Sequence, residues 1–130
     1  MKKIVVGLDG SATSDEALRW AIEEARLGGA ELVAVHVWSY PYSGGPREAM
    51  RQDAQQQLDE SLAAADAGKV TAKLIEGHVA GALIDESADA DLLVVGSHGR
   101  GGFTSMLLGS VSRTAVQHAK CPVAVIRRQK

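Results

Sequence analysis

Apolar residues along this chain occur in two patterns that follow each other from one end to the other. Short continuous apolar runs predict strands that are buried on both faces. Longer stretches, in which apolar residues recur every three or four positions, predict helices with one apolar face. The predicted strands are 4–9, 31–38, 70–76, 92–96 and 123–126, and the predicted helices are 14–27, 47–67, 80–89 and 110–119.

Local signals sharpen some of these boundaries. Thr13, followed three residues later by Glu16, fits a capping box at the start of the first helix. Gly28-Gly29 fits its C-terminal end. The stretch 70–76 partly alternates between polar and apolar residues, which is typical of an edge strand or a half-exposed strand.

Five strands separated by four helices predict an α/β fold with a parallel sheet and helices on both faces. The predicted architecture is a Rossmann-like, three-layer sandwich with strand order 3-2-1-4-5, in which strands one and four are neighbours. The chain winds in opposite directions from these two strands, so a crevice opens at their carboxyl ends, where ligands bind. The length of 130 residues predicts a single domain, 1–130.

Composition narrows the choice of partners. The formal net charge is -2, and 45% of residues are hydrophobic, which favours a globular protein that binds neither nucleic acid nor an anionic membrane surface. No stretch approaches the roughly 18 apolar residues of a membrane span, and the apolar run after Lys3 is too short for a signal-peptide core. We therefore expect a cytoplasmic protein. Its single cysteine, Cys121, excludes an internal disulfide.

Two glycine-containing stretches follow the two strands that are predicted to be neighbours. The first is 7–11, and the second begins at Gly96 and continues to the start of the last helix. A glycine-rich loop that leads into a helix presents backbone N–H groups to an anion. Ser110 and Ser112 add hydroxyl donors in the first helical turn. These features predict a phosphate-binding loop at the crevice.

Both stretches also have a purely structural interpretation, which the sequence leaves open. The glycines could form a turn that binds nothing. Asp9 could accept hydrogen bonds from ribose hydroxyls or help to hold a divalent metal, or it could accept a local hydrogen bond in an Asx turn at Asp9-Gly10.

Other well-known motifs do not fit. The chain has no Gly-Lys-Ser/Thr of a P-loop, no Gly-x-Gly-x-x-Gly after the first strand and no Gly-x-Ser-x-Gly elbow. Ser97 and His98 are sequence neighbours, which is poor geometry for a nucleophile and its base. His36 lies in a buried strand and is expected to be a core histidine. The histidines lack metal-site spacing, so we predict no catalytic residue and no metal ligand beyond an indirect role of Asp9.

The second stretch resembles the nucleotide motif of the universal stress protein family: Gly, two residues, Gly, nine residues, then Gly-Ser or Gly-Thr. Here these positions are Gly96, Gly99, Gly109 and Ser110, with the spacing intact. The strand ending in Asp9-Gly10-Ser11 is similar to the family's N-terminal signature. The segments 35–37, 88–95 and 121–126 also resemble the family pattern, so the resemblance covers essentially the whole chain.

The resemblance implies a fold, a ligand and a set of contacts. The fold is the adenine-nucleotide α-hydrolase-like fold, a name that describes an architecture and not an activity. The motif marks the family's ATP-binding branch, so ATP is the expected ligand, with Mg²⁺ or Mn²⁺. Asp9 would meet the ribose, Val37 would contact adenine largely through its backbone, and Val95 and Gly96 would line the nucleoside. The expected phosphate contacts are Gly99, Gly109, Ser110, Val111 and Ser112.

Three further points stay open. Arg100 could reach the phosphates or remain solvated. Many relatives carry a proline shortly after the glycine that ends the third strand, whereas Gly77-His78-Val79 has none, so the start of the third helix is not fixed. The apolar last strand predicts a homodimer through residues 122–127, as relatives commonly form, with a monomer as the alternative.

The expected function is that of a regulatory protein of the stress response. The alternatives are a slow ATPase or nucleotide-transfer enzyme, and an interaction module that binds no nucleotide. No general base or arginine–lysine clamp of the kind that phosphoryl transfer needs is evident, so at most very slow hydrolysis is expected.

Overall fold

A computed structural model describes residues 1–98 and 108–127 of the chain. Strands and helices alternate throughout. The strands are β1 (Lys3–Leu8), β2 (Glu31–Trp38), β3 (Thr71–Glu76), β4 (Leu92–Gly96) and β5 (Val123–Ile126). The helices are α1 (Ala12–Gly28), α2 (Arg47–Ala64), α3 (Val79–Glu86) and α4 (Ser110–His118).

The five strands form one parallel sheet in the order β3-β2-β1-β4-β5. This confirms the predicted α/β fold and its strand order. The pairing between β1 and β2 ends with Leu8 opposite His36, and the pairing between β1 and β4 ends with Val6 opposite Val94. Because β2 continues to Trp38, its last two residues extend beyond the end of β1.

The side chains of β1 alternate between two apolar clusters on opposite faces of the sheet. One cluster lies under α1 and α2, and the other lies under α3 and α4. Burial of each large aliphatic side chain contributes about 1.5–3 kcal/mol, so both helix layers are held to the sheet mainly by these contacts. The first cluster includes Ile4, Leu18 and Leu58, and the second includes Val5, Leu83 and Leu93.

The capping box predicted at Thr13 is wrong. The N-cap of α1 is Ser11, whose hydroxyl oxygen accepts a hydrogen bond from the backbone N–H of Ser14 at 3.1 Å. Thr13 lies inside the first turn and is buried. The C-terminal prediction is confirmed, since Gly29 adopts the left-handed conformation with φ 66°.

Two helices end earlier than their apolar periodicity predicts. α2 ends at Ala64, and Asp66 and Gly68 then turn the chain with positive φ. α3 ends at Glu86, where the Ser87 hydroxyl donates to the carbonyl oxygen of Leu83 at 2.7 Å. Serine hydroxyls that bond back to the backbone compete with helix continuation.

The start of α3, which the sequence left open, is at Val79. His78 is the N-cap, and its ring Nδ1 accepts from the backbone N–H of Gly81 at 3.4 Å. A histidine therefore takes the capping role at the start of α3. Within the described ranges, no helix combines the length and hydropathy that crossing a membrane requires.

Candidate functional site

β1 and β4 are neighbours from which the chain winds in opposite directions, the topology in which a crevice forms at the carboxyl ends of the strands. α1 packs on one face of the sheet, whereas α4 packs on the other. Open α/β sheets bind ligands at such a switch point. The turn after β1 and the first residues after β4, which the sequence predicted to carry the chemistry, therefore begin at this edge of the sheet.

The β1 side of the crevice is formed by the turn after Leu8. Asp9 Oδ1 accepts a hydrogen bond from the backbone N–H of Ser11 at 2.9 Å, and Gly10 has φ 80°. This is the Asx turn that the sequence left as an alternative for Asp9. A carboxylate offers about four lone-pair sites, so the turn leaves Asp9 with further capacity to accept hydrogen bonds.

Side chains at the start of α1 hydrogen-bond to the backbone of its first turn. Ser14 makes two hydrogen bonds to Ser11: its backbone N–H donates to the Ser11 hydroxyl oxygen, and its hydroxyl donates to the Ser11 carbonyl oxygen at 3.1 Å. The Ser14 hydroxyl oxygen also lies 3.3 Å from the backbone N–H of Asp9. Asp15 adds a negative charge to the turn, which favours the positive end of a helix.

The first turn of α4 is built differently. Its N-cap is Gly109, which has no side chain to cap the helix, and its first helical hydrogen bond runs from Arg113 N to Gly109 O at 3.0 Å. The amides of Ser110, Val111 and Ser112 precede that bond, and the first turn contains no acidic residue. Such amides and the helix dipole together form an anion-binding site.

The carbonyl oxygen of Ser97 joins the end of β4 to the start of α4. It accepts from the backbone N–H of Gly109 at 2.7 Å and from the Ser112 hydroxyl at 3.0 Å. Ser112 is only 2% exposed. Because a hydroxyl has one hydrogen, Ser112 as placed donates inside the fold, and its predicted bond to a phosphate would require that contact to break.

Gly96 lies against the first turn of α1. A Cβ atom there would come within 2.8 Å of Thr13 Cγ2 and within 3.1 Å of the Thr13 carbonyl carbon. Real Cβ atoms essentially never approach the first distance, so glycine permits β4 and α1 to pack this closely. The neighbouring Val95 is buried in the cluster under α3 and α4. Both residues lie at the carboxyl end of β4, and their contact with a nucleoside stays a prediction.

Val37 lies on the β2 side of the crevice with a buried side chain. Successive residues of a strand direct their N–H and C=O groups to opposite sides. The Trp38 carbonyl oxygen accepts from Gly77 N at 2.9 Å on the β3 side. The Val37 carbonyl therefore points towards β1, beyond the last β1 residue in the register. This is the geometry that a backbone contact to adenine needs, and the contact itself stays a prediction.

Ser97 and His98 interact more closely than their adjacency suggested. A bend after β4 brings Ser97 Oγ within 3.0 Å of His98 Nδ1, a contact that the sequence did not predict. Sequence reasoning missed this pair, because a bend of this kind leaves no periodic signal. Ser97 is 2% exposed, which keeps its hydroxyl from bulk solvent.

His36 is the core histidine that the sequence predicted. It is 6% exposed, and its ring Nδ1 lies 2.8 Å from the carbonyl oxygen of Leu8. A carbonyl oxygen can only accept, so Nδ1 donates, and this bond fixes the orientation of the ring at the end of β1.

The structure thus brings Asp9, Val37, Val95 and Gly96 to the same end of the sheet as Gly109, Ser110, Val111 and Ser112. Gly99 and Arg100, the other two predicted contacts, lie outside the described residues. In the part of the chain that the structure describes, no group of three or more His, Cys, Asp or Glu could hold a metal ion.

These features define a class: a doubly wound α/β protein in which α4 begins at the switch point without a capping side chain among the described residues. The chain belongs to the universal stress protein family, whose model matches residues 1–127. It is 41% identical over 133 residues to the universal stress protein Rv2005c of Mycobacterium tuberculosis, with 96% of this chain covered. The chain spans only 45% of that relative's length.

Solved structures of the family share this fold. A universal stress protein crystallised in complex with cAMP is 26% identical, with a TM-score of 0.77 and 95% of each chain covered. The universal stress protein of Archaeoglobus fulgidus in complex with dAMP is also 26% identical, with a TM-score of 0.74, covering 97% of this chain and 98% of that one. Both relatives hold an adenine nucleotide.

Proposed function

We propose that this chain binds an adenine nucleotide, ATP together with Mg²⁺ or Mn²⁺, in the crevice between β1 and β4. The nucleotide would serve as a signal in a cytoplasmic regulatory protein of the stress response. The observation that carries the proposal is the first turn of α4, which presents backbone amides at the switch point without a capping side chain or an acidic residue. The cAMP and dAMP complexes of two relatives support the adenine nucleotide class.

The phosphates would lie against the start of α4. There the amides of Ser110 and Val111 precede the first helical hydrogen bond, and the exposed Ser110 hydroxyl adds a donor. Each hydrogen bond to a charged group contributes about 1.5–3 kcal/mol. Three or four such bonds would support binding in the micromolar range after association costs of several kcal/mol.

The nucleoside would lie across the ends of β1 and β2. Asp9 is half-buried there, and after the Asx turn its carboxylate can still accept from ribose hydroxyls. The Val37 carbonyl, which points beyond the end of β1, can accept from the adenine amino group. Because β1 lies between β2 and β4, the nucleoside and the phosphates would lie along the same edge of the sheet.

A divalent metal would arrive with the triphosphate. Mg²⁺ in proteins is usually held by one or two carboxylates together with substrate phosphates. The described residues offer no cluster of three metal ligands, whereas Asp9 offers one carboxylate at the crevice. The residues present therefore fit a nucleotide-borne metal, whose charge would offset that of the phosphates.

Titration calorimetry with ATP and Mg²⁺ tests the proposal, with AMP and cAMP compared in parallel. We expect ATP binding in the micromolar range, and no binding at millimolar ATP would contradict the proposal. Native mass spectrometry of the purified protein would identify a nucleotide that remains bound through purification.

The matched variant for this test is Gly109→Val. Gly109 has φ -68° and ψ 168°, a backbone conformation that valine adopts readily, so we expect the fold to persist. The added side chain should block the approach of a phosphate and abolish binding. Normal ATP binding by a folded Gly109→Val protein would show that the phosphate site is placed wrongly.

We also propose that two copies pair through β5. The two sheet edges differ, because β3 exposes Lys73 and Glu76, whereas the β5 side chains are all apolar and half-buried. An apolar edge strand invites pairing with another chain, and a twofold pairing closes on itself. Light scattering at micromolar concentration should give the dimer mass. A monomer mass, or a dimer unaffected by Val125→Pro, would contradict this interface.

A further inference from the structure

A buried histidine side chain connects the ends of two neighbouring strands, β1 and β2. His36 is 6% exposed, and its ring Nδ1 donates to the carbonyl oxygen of Leu8 at 2.8 Å. Leu8 is the last residue of β1, and it is also the residue opposite His36 in the last pair of the β1–β2 register. The side chain therefore adds a hydrogen bond between the strands at the point where their regular pairing ends.

The buried residues that precede His36 on its face of β2 are aliphatic. Leu32 and Ala34 belong to the cluster under α1 and α2, and His36 follows on the same face, since side chains two residues apart in a strand point the same way. Burying a polar group costs free energy unless it is hydrogen-bonded, so an aliphatic residue would suit packing alone. Core packing therefore does not account for a histidine at this position, whereas the bond to Leu8 does.

Each of the two residues that this bond connects directly precedes a predicted nucleotide contact. Asp9, which follows Leu8, would accept hydrogen bonds from the ribose hydroxyls. Val37, which follows His36, directs its carbonyl towards β1 and would accept from the adenine amino group. The distance between these two contacts therefore depends on how the end of β1 is held against β2, and the side chain of His36 helps to hold it.

The hydrogen bonds of Asp9 described above connect it to α1 and not to β2. Its Oδ1 accepts from the backbone N–H of Ser11 at 2.9 Å, and its own backbone N–H lies 3.3 Å from the Ser14 hydroxyl oxygen. Both contacts fix Asp9 relative to the first turn of the helix. The His36 bond, one residue earlier in the chain, adds to the backbone pairing and fixes the same segment relative to the strand that carries Val37.

We propose that His36 is a positioning residue, whose hydrogen bond to the end of β1 sets the spacing between Asp9 and Val37 so that one nucleoside can contact both. The inference rests on the proposed function and adds to it a residue that itself touches no part of the nucleotide. A site whose groups are already ordered binds more tightly, because ordering them on binding costs free energy. His36 should therefore raise the affinity only for ligands whose ribose hydroxyls Asp9 can bind.

The test compares two substitutions of similar size against two ligands. Leucine removes the donor at position 36, whereas asparagine has nearly the shape of leucine and keeps an amide N–H near the position of Nδ1. The ligands are ATP and dideoxy-ATP, which lacks both hydroxyls of the ribose ring. We expect His36→Leu to weaken ATP binding about 10-fold, the upper end of what a neutral hydrogen bond contributes, and His36→Asn to recover most of that loss. Dideoxy-ATP binding should change less than about threefold in both variants.

A second measurement needs no substitution and covers the case in which His36→Leu does not fold. Coupling between two sites is reciprocal, so if the His36 bond favours ribose binding, ribose binding must stabilise the His36 bond. In wild-type protein with ¹⁵N-labelled histidine, the Nδ1 proton of His36 should exchange with solvent more slowly in the ATP complex than in the dideoxy-ATP complex, with both ligands at saturation. Equal exchange rates in the two complexes would overturn the inference.

The remaining outcomes also decide the question. Equal weakening of ATP and dideoxy-ATP by His36→Leu would show that the histidine only supports the fold, and unchanged ATP binding by that variant would show that the bond does not matter for the ligand. Both results would overturn the inference while leaving the proposed function intact. Failure of the wild-type protein to bind ATP would instead refute the proposed function, and this inference with it.

Discussion

α1 and α4 both begin at the carboxyl edge of the sheet, directly after the neighbouring strands β1 and β4, yet their first turns are built in opposite ways. In α1, Ser11 caps the helix and Asp15 adds an acid. In α4, the cap position is a glycine and the first turn has no acid. Arg113, in the first turn of α4, extends its guanidinium towards the Leu108 carbonyl oxygen at 3.4 Å.

The two helix N-termini differ in the groups that stabilise them. A serine cap and an acidic residue each stabilise a helix start, whereas a cation near the positive end is unfavourable by about 0.3–1 kcal/mol. α1 thus has a capping hydroxyl and an acidic residue at its start, whereas α4 has neither among the described residues. Of these two helix starts, we therefore expect that of α4 to be the one that binds a phosphate.

The largest expected effect comes from giving α4 the acid that it lacks. Ser110→Asp should reduce ATP affinity by about 100-fold, since the new carboxylate repels the phosphates at the helix start. The same acid should leave stability unchanged or raise it by about 0.3–1 kcal/mol. Calorimetry and chemical denaturation measure the two effects. The uncharged control Ser110→Asn should lose far less affinity, and equal losses in both variants would argue against a phosphate at this position.

The next effect concerns the close packing of α1 against Gly96 at the end of β4. Gly96→Ala should lower the free energy of unfolding by about 1–3 kcal/mol, because the new methyl group overlaps the first turn of α1. Gly28→Ala is the matched control, since a Cβ there meets nothing within 4 Å. In α1, that second change should be neutral or stabilise by up to about 1 kcal/mol. Similar results for both glycines in urea denaturation would refute the close packing at Gly96.

A smaller effect is expected from removing the cap of α1. Ser11→Ala should cost about 1 kcal/mol of stability, because Ser14 N loses its acceptor. Ser11→Asn, which restores a capping oxygen, should recover most of it. ATP affinity should change less than about threefold, since α1 is not expected to hold the phosphates. A large loss of ATP affinity in Ser11→Ala would mean that both helix starts contact the nucleotide.

The smallest effect lies at the opposite end of the sheet, far from either helix start. The backbone N–H groups of Lys2 and Lys3 donate to the Asp91 carboxylate at 2.6 and 3.0 Å and hold the pKa of Asp91 below its usual value. Its stabilising contribution is therefore present above about pH 4, the usual aspartate pKa, and is lost as the pH falls through the lowered pKa.

Asp91→Asn should accordingly flatten the acid limb of the stability curve slightly and leave ATP binding unchanged. Denaturation midpoints measured between pH 2 and pH 6 would show this. If the variant lost stability at acid pH as the wild type does, Asp91 would not contribute to the pH dependence of stability.

The sequence predicted the order of elements because buried parallel strands and amphipathic helices have different periods. The rules on connections left few strand orders, and the doubly wound order was chosen among them. It misplaced the cap of α1, since two hydroxyl residues, Ser11 and Thr13, compete for that role and only the backbone path decides. It also missed how Ser97 binds Gly109 and Ser112, because those contacts join residues far apart in sequence.

The sequence could predict which residues form the candidate site, but not the contacts that they make within the fold. Glycine spacing identified Gly96 and Gly109, but it could not show that Gly96 serves close packing against α1. Nor could it show that the Ser112 hydroxyl is engaged inside the fold. A residue type at a position limits the chemistry available there, whereas the direction of each hydrogen bond depends on the neighbours that the fold supplies.

The most direct measurement is a ¹⁵N amide spectrum of the wild-type protein recorded during titration with ATP and Mg²⁺. The amides of Ser110, Val111 and Ser112 should show the large shifts expected when N–H groups bind a phosphate, whereas those of Ala12, Thr13 and Ser14 at the start of α1 should move little. Saturable shifts confined to the start of α1, or no saturable shifts at millimolar ATP, would contradict a nucleotide held at the N-terminus of α4.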